Sequence, residues 1–226
     1  MDIEGKNALV LGGYGLVGMA VCRRLLGHQP NRLVVASLRR EESEAAVAEL
    51  RGAFPALAER IRPAWGDILL RAEWQEAEPG VHPRQVVLGD AAKRRRLVAD
   101  ILDELSDEIL TSSLLFQLIT GGARGLDGPA HIIVDCVNTA TAVAYQNVFQ
   151  TARRLEDRIA SGEATDWPEE VERLLAALYV PQLVRHMQIL YEAMLRAGTH
   201  AYLKIGTSGT GGMGFNIPYT HGEERP

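Results

Sequence analysis

Three glycines, Gly12, Gly15 and Gly18, sit in the stretch VLGGYGLVGMAVCRRLL with G-x-x-G-x-x-G spacing. Without a Cβ, such positions let the chain turn sharply, let a pyrophosphate approach the backbone and let a following helix pack close. The helix then offers free N–H groups and a partial positive charge at its N-terminus. Gly13, Tyr14, Leu16 and Val17 complete a turn that would line a dinucleotide. A bare match also describes an ordinary tight turn, so the flanking elements decide between the two. Two further groups have chemistry to offer. Ser37, Arg39 and Arg40, in ASLRR, bring a hydroxyl and two guanidinium groups suited to a phosphate. Ser208, with Thr207 and Thr210 as neighbours, places a hydroxyl after an apolar run, where it either polarises a carbonyl or caps a turn.

Elements must hold these residues in place. Residues 7–11, NALVL, form a short apolar run stopped by glycine, the pattern of a strand buried on both faces. From 17 to 26, Val17, Val21, Cys22, Leu25 and Leu26 recur at helical spacing, with Gly27 as a stop. RLVVASL, residues 32–38, is a second buried strand, so the glycine turn lies inside a βαβ unit with a right-handed crossover. That context favours the dinucleotide cradle. A helix with apolar Ala46, Val47 and Leu50 follows, then a third strand within residues 60–68. Residues 69–91 are poor in periodicity and hold Pro79, Gly80 and Pro83. Leu97, Ile101, Leu102, Leu105, Ile109 and Leu110 then mark one long amphipathic helix, its apolar face continuing to Leu118. HIIVDCVNTAT, residues 131–141, is a fourth strand. Helical segments over 143–159 and 168–196 come next, with Pro181 expected to kink or divide the second. Residues 200–208 make a fifth strand that opens into a glycine-rich loop. The expectation is one α/β domain over residues 1–226: a doubly wound, Rossmann-type parallel sheet with a loop and helical insertion, 69–128, between its third and fourth strands. Ligands of such sheets bind beyond the carboxyl ends of the strands.

Composition narrows the function. With 226 residues, 46% hydrophobic and 23% charged, the chain has the balance of a soluble globular protein. Its formal charge of −5 gives no global attraction to nucleic acid or an anionic membrane. No apolar run reaches membrane-spanning length and no signal peptide precedes the first strand, so a cytoplasmic location is expected. Cys22 and Cys136 lie in apolar segments and read as small hydrophobes. The six histidines are dispersed without H-x-x-x-H spacing, so no metal site is expected. KRRR, residues 93–96, reads as a solvated helix face.

The glycine spacing resembles that of the short-chain dehydrogenase/reductase superfamily, in its extended or atypical branches. WGDI is similar to the acidic turn after that family's third strand, which implies Asp67 and Ile68 against an adenine ring. VNTAT is similar to the backbone-hugging segment after the fourth, which implies Asn138, Thr139 and Ala140 along the nicotinamide ribose. Asp67, Asn138 and Thr139 equally read as caps of local structure. The end of the second strand selects the nucleotide. An acid there would bond a free ribose 2′-hydroxyl, whereas Ser37 stands at about that point with Arg39 and Arg40 close behind. NADP(H) is favoured and NAD(H) is second. The same arginines also read as the start of a helix paired to Glu41 and Glu42.

For catalysis the resemblance implies a Ser or Thr on the substrate oxygen, a Tyr as general acid/base and a Lys beside it. Ser208 matches the serine, with Thr207 able to substitute. Tyr219 follows eleven residues later, but YTHGE puts Glu223 where a Tyr-x-x-x-Lys pattern needs lysine, and Lys204 is the last lysine. In extended members the tyrosine comes roughly two dozen residues after the serine, past Pro226. The chain is therefore expected to be the N-terminal portion of a longer protein. The expected function is hydride transfer between NADP(H) and a carbonyl or hydroxyl of a small metabolite. A nucleotide-sugar epimerase or dehydratase, or a non-catalytic NADP(H) sensor, are the alternatives, and a homodimer through a flank helix is an option.

Overall fold

The apolar runs form a parallel sheet in the computed structural model, which describes residues 2–78, 81–122, 127–137, 148–161 and 167–206. Its five strands are β1 (Asn7–Leu11), β2 (Arg32–Ser37), β3 (Ile61–Trp65), β4 (Ile132–Asp135) and β5 (Ala201–Lys204), in the order β3-β2-β1-β4-β5. Every neighbouring pair is parallel, with Leu11 opposite both Ala36 and Asp135. All residues of β1 and β4 are buried, as expected for inner strands that read as continuous apolar runs. The edge strand β5 is half-buried to exposed.

The described residues of Met1–Trp65, Arg124–Val137 and Ala197–Pro226 make one unit, and those of Gly66–Ala123 and Asn138–Arg196 a second. In the first, α1 (Leu16–Leu26) and α2 (Arg40–Ala53) follow β1 and β2. Met19, Cys22, Leu25 and Leu26 of α1 and Ala46, Val47 and Leu50 of α2 join Ala8, Val10, Leu33, Val35, Ile61, Ile132 and Val134 in one core. Each large side chain buried there stabilises the fold by about 1.5–3 kcal/mol. Ser43 fits this core because its hydroxyl donates to Val35 O at 2.7 Å and accepts from Ala64 N at 3.1 Å.

The second unit is helical, and here the structure departs from the periodicity. The expected helix through 97–118 is three: α4 (Ala91–Leu102), α5 (Asp107–Ser112) and α6 (Leu114–Thr120), preceded by α3 (Pro83–Gly89) within the stretch that lacked a pattern. Caps explain the breaks. Asp90 accepts from the N–H groups of Ala92 and Lys93 to start α4, and Ser106 accepts from Ile109 N to start α5. At α3, Pro83 takes the first helical position and His82 accepts from Arg84 N. Leu97 and Ile101 bury against Leu70, Trp74, Val87 and Ala176 of the same unit. Beyond α7 (Val148–Ser161), the segment 168–196 divides into α8 (Trp167–Ala176) and α9 (Tyr179–Ala197). Pro181 falls in the first turn of α9, where its missing N–H would have no helical partner, so the break comes just ahead of it. No helix among the described residues is long and apolar enough to cross a membrane.

The amino edge of the sheet holds a pH-sensitive contact. His131 Nδ1 accepts from Asn7 N at 3.0 Å, and its ring lies 5.5 Å from that of His200. Burial, then the charges of Lys6 and His200, hold the His131 imidazolium below the usual histidine range. The neutral ring is thus the folded form, and the unfolded chain binds the extra proton. Its stabilising contribution is complete above about pH 6.5 and is lost as the pH falls through the lower folded value. Replacing it by a side chain that accepts without titrating, His131→Gln, is expected to reduce the fall in Tm between pH 7 and pH 5, as measured by calorimetry.

Candidate functional site

The sheet changes winding direction at β1. From β1 the chain builds outward through β2 to β3, then returns to lay β4 on the other side of β1 and β5 beyond it. The carboxyl ends of β1 and β4 therefore flank a switch point, the place where open α/β sheets bind ligands. The glycine turn lies there. Gly12 has φ +74°, and a Cβ on it would meet the backbone of Cys136 and Val137 at 3.2 Å. The turn after β1 thus presses on the chain leaving β4. A Cβ on Gly18 would lie 2.2 Å from Gly12 O and 2.8 Å from Gly13 Cα, so α1 starts against the turn at a distance that only glycine permits. Gly13 N donates to Ala36 O at 2.9 Å, and Tyr14 N to Ser37 Oγ at 3.2 Å, which ties the turn to the end of β2.

The mouth of α1 has the polarity an anion requires. Gly15 is its N-cap and carries no capping side chain, and no acidic residue sits in the first turn. Leu16 and Val17 beside it are exposed. Ser37 is buried, its oxygen turned to the Tyr14 N–H. Arg39 is the N-cap residue of α2, its N–H donating to Glu42, and among the described residues its guanidinium has no partner. Arg40 is more engaged: Nε donates to Glu44 at 2.7 Å and the guanidinium lies 4.9 Å over the Trp65 ring.

Asp67 and Ile68 belong to the second unit. Asp67 is buried; Oδ1 accepts from Leu69 N at 2.9 Å, and Oδ2 lies 3.8 Å from Arg84 Nη1. Ile68 lines a cavity of about 30 Å³ with Leu69, Ile101, Leu115, Arg185 and His186. Asn138, Thr139 and Ala140, and with them Thr207, Ser208 and Tyr219, lie outside the described residues.

Sequence reasoning missed a cluster at the same edge. Asp135, the last residue of β4, is fully buried, and its Oδ2 accepts from Lys204 Nζ at 2.8 Å and from Tyr202 Oη at 2.9 Å. Its Oδ1 accepts from Val137 N at 2.9 Å, and Lys204 Nζ also donates to Val137 O. The signal was present as an aspartate closing the apolar run IIVD and a Tyr-x-Lys alternation in β5, which puts both side chains on one face of a strand. Burial and the Asp135 carboxylate hold the Tyr202 phenol protonated, well above the usual tyrosine range. Its proton is committed to Asp135, so in this arrangement Tyr202 does not stand in for the Tyr-x-x-x-Lys tyrosine. Cys136, pushed up to about 11 by burial and Asp135, and Cys22, pushed up to about 12 by burial, are protonated thiols that pack as hydrophobes.

Fold and turn together define a Rossmann-like α/β sheet with a glycine-rich turn at its switch point. No family model and no curated protein matches the chain. Among solved structures, it is similar to Pen from Bacillus thuringiensis, with 13% identity and a TM-score of 0.42 over 90% of this chain and 38% of that one. A Serratia marcescens short-chain dehydrogenase/reductase variant is similar at 14% identity and a TM-score of 0.39, over 93% of this chain and 58% of that one. An A-type ketoreductase of a modular polyketide synthase follows at 20% identity and a TM-score of 0.34, over 84% of this chain and 36% of that one. The chain thus spans between 36% and 58% of the length of these proteins.

Proposed function

We propose that the chain binds NADP(H) on the Gly12–Gly18 turn and serves an oxidoreductase that moves hydride between the nicotinamide and a carbonyl or hydroxyl of a small metabolite. The observation that supports this most is the pairing of Gly12 and Gly18, two positions closed to any side chain, at the β1–β4 switch point. Both contacts are with the protein's own backbone, so glycine lets the turn close tightly and α1 start directly against it, which sets the helix N-terminus at the switch point where a pyrophosphate can reach its N–H groups. The N–H groups of Leu16, Val17 and Gly18, in the first turn of α1, would bind the pyrophosphate, with the uncapped start of the helix adding its partial charge. Ser37 would keep the turn in place through Tyr14 N, and Arg39, whose guanidinium is uncommitted among the described residues, would receive the 2′-phosphate. Arg40 would flank it from the face of Trp65.

Asp67 and Ile68 beside the adenine, Asn138, Thr139 and Ala140 along the ribose, and Ser208, Thr207 and Tyr219 in catalysis complete the reading. When bound, the cofactor supplies the hydride; the protein holds and orients it. A second reading, a non-catalytic NADP(H) sensor, draws on the absence of Tyr-x-x-x-Lys from the sequence and on the commitment of Tyr202 to Asp135.

Arg39 gives the test of nucleotide choice. Arg39→Ala is expected to weaken NADPH binding about tenfold, the value of one charge-assisted phosphate contact, and to leave NADH binding unchanged. Equal losses for the two nucleotides, measured by fluorescence titration, would remove Arg39 from the 2′-phosphate site.

A further inference from the structure

The Asp135–Lys204 pair does more than join two strands. The peptide between Cys136 and Val137 is the surface on which Gly12 rests, and both polar atoms of Val137 are held by this pair: its N–H by Asp135 Oδ1 at 2.9 Å and its carbonyl by Lys204 Nζ. Lys204 Nζ also closes the ring by donating to Asp135 Oδ2 at 2.8 Å. A single ammonium therefore neutralises a carboxylate that is 1% exposed and fixes the chain leaving β4. Tyr202 adds a third donor to the same carboxylate.

We propose that Lys204 is a positioning residue for the dinucleotide site, acting through Val137 and Gly12 without touching the ligand. The proposal rests on the reading of the glycine turn as an NADP(H) site. Its physical basis is the asymmetry of buried charge: with the ammonium removed, the Asp135 carboxylate, 1% exposed in the wild type, loses its counter-ion and keeps only the Tyr202 hydroxyl and Val137 N–H as donors. The least hindered response is for Asp135 and the Val137 backbone bonded to it to move outward. That movement takes away the support under Gly12, and with it the shape of the turn. Removing both charges together leaves no such force, because an amide at position 135 still accepts from Val137 N and needs no counter-ion. The pair is thus coupled, and the coupling is read at the ligand site.

The test is a double-variant cycle read by NADPH titration, with thermal unfolding recorded on each protein. Lys204→Met is expected to weaken NADPH binding at least tenfold, Lys204→Arg to stay within about threefold of the wild type, and Asp135→Asn/Lys204→Met to recover most of the loss. The Arg and double variants carry the test if Lys204→Met fails to fold. Wild-type affinity in Lys204→Met, or a double variant as weak as the single one, would overturn the proposal. A wild-type protein that binds neither NADPH nor NADH would instead remove the reading on which it rests.

Discussion

Gly18→Ala is expected to weaken NADPH binding by at least thirtyfold. The added methyl would lie 2.2 Å from Gly12 O and 2.8 Å from Gly13 Cα, and both are backbone atoms that no rotamer change can clear. Either α1 moves away from the turn or the turn opens. Each displaces the N–H groups that would receive the pyrophosphate, and a loss of about 2 kcal/mol of charge-assisted bonding corresponds to that factor. Two other glycines supply the contrast. Gly15 has only Gly12 O at 3.5 Å, so its alanine variant fits and measures how closely a ligand approaches that point. Gly52, within α2, has nothing within 4 Å, and Gly52→Ala is expected to leave binding unchanged while raising stability by about 0.5–1 kcal/mol. Fluorescence titration of the three variants separates a loss of the cradle from a general effect of losing glycine.

The largest effect on stability is expected at Arg71 in the second unit. Its Nε and Nη2 make a two-pronged pair with Asp100 at 2.6 Å each, Nη1 bonds Glu108, and the guanidinium lies 5.3 Å over the Trp74 ring. The Arg71 and Asp100 side chains are 8% and 13% exposed, so water does little to replace either partner. Arg71→Met leaves Asp100 buried without its two-pronged partner, with the half-exposed Arg96 at 3.7 Å and the charge of Arg185 as weaker compensation, and is expected to destabilise by about 3–5 kcal/mol. Arg71→Met/Asp100→Leu, which removes both charges, is expected to regain most of that. Denaturant unfolding of the two variants measures the difference. If the single variant unfolds like the wild type, the pair is not the anchor that its geometry describes.

The legible part of this molecule was the part governed by burial on two faces. NALVL, RLVVAS and IIVD have no polar alternation to conceal, so the inner strands and the turn between the first strand and helix could be read directly. Helix boundaries in the second unit depended on single caps. Asp90 starts α4, and Ser106 breaks a pattern that the apolar spacing of Leu97 to Leu118 carries straight through; such residues compete weakly with periodicity in a sequence. The Asp135–Lys204–Tyr202 cluster was hidden for another reason. Its members lie 67 and 69 residues apart in the chain and meet only because β5 pairs with β4. Ser37 shows a third case: its place at the end of β2 is legible in the sequence, while the bond that its hydroxyl accepts from Tyr14 N of the glycine turn is set by the pairing of β1 with β2.

The most direct measurement is isothermal titration of the wild-type chain with NADPH and with NADH. One saturable NADPH site per chain, binding about tenfold tighter than NADH, is the expected result. Titrations in which neither nucleotide saturates would contradict the assignment of the Gly12–Gly18 turn as a dinucleotide cradle.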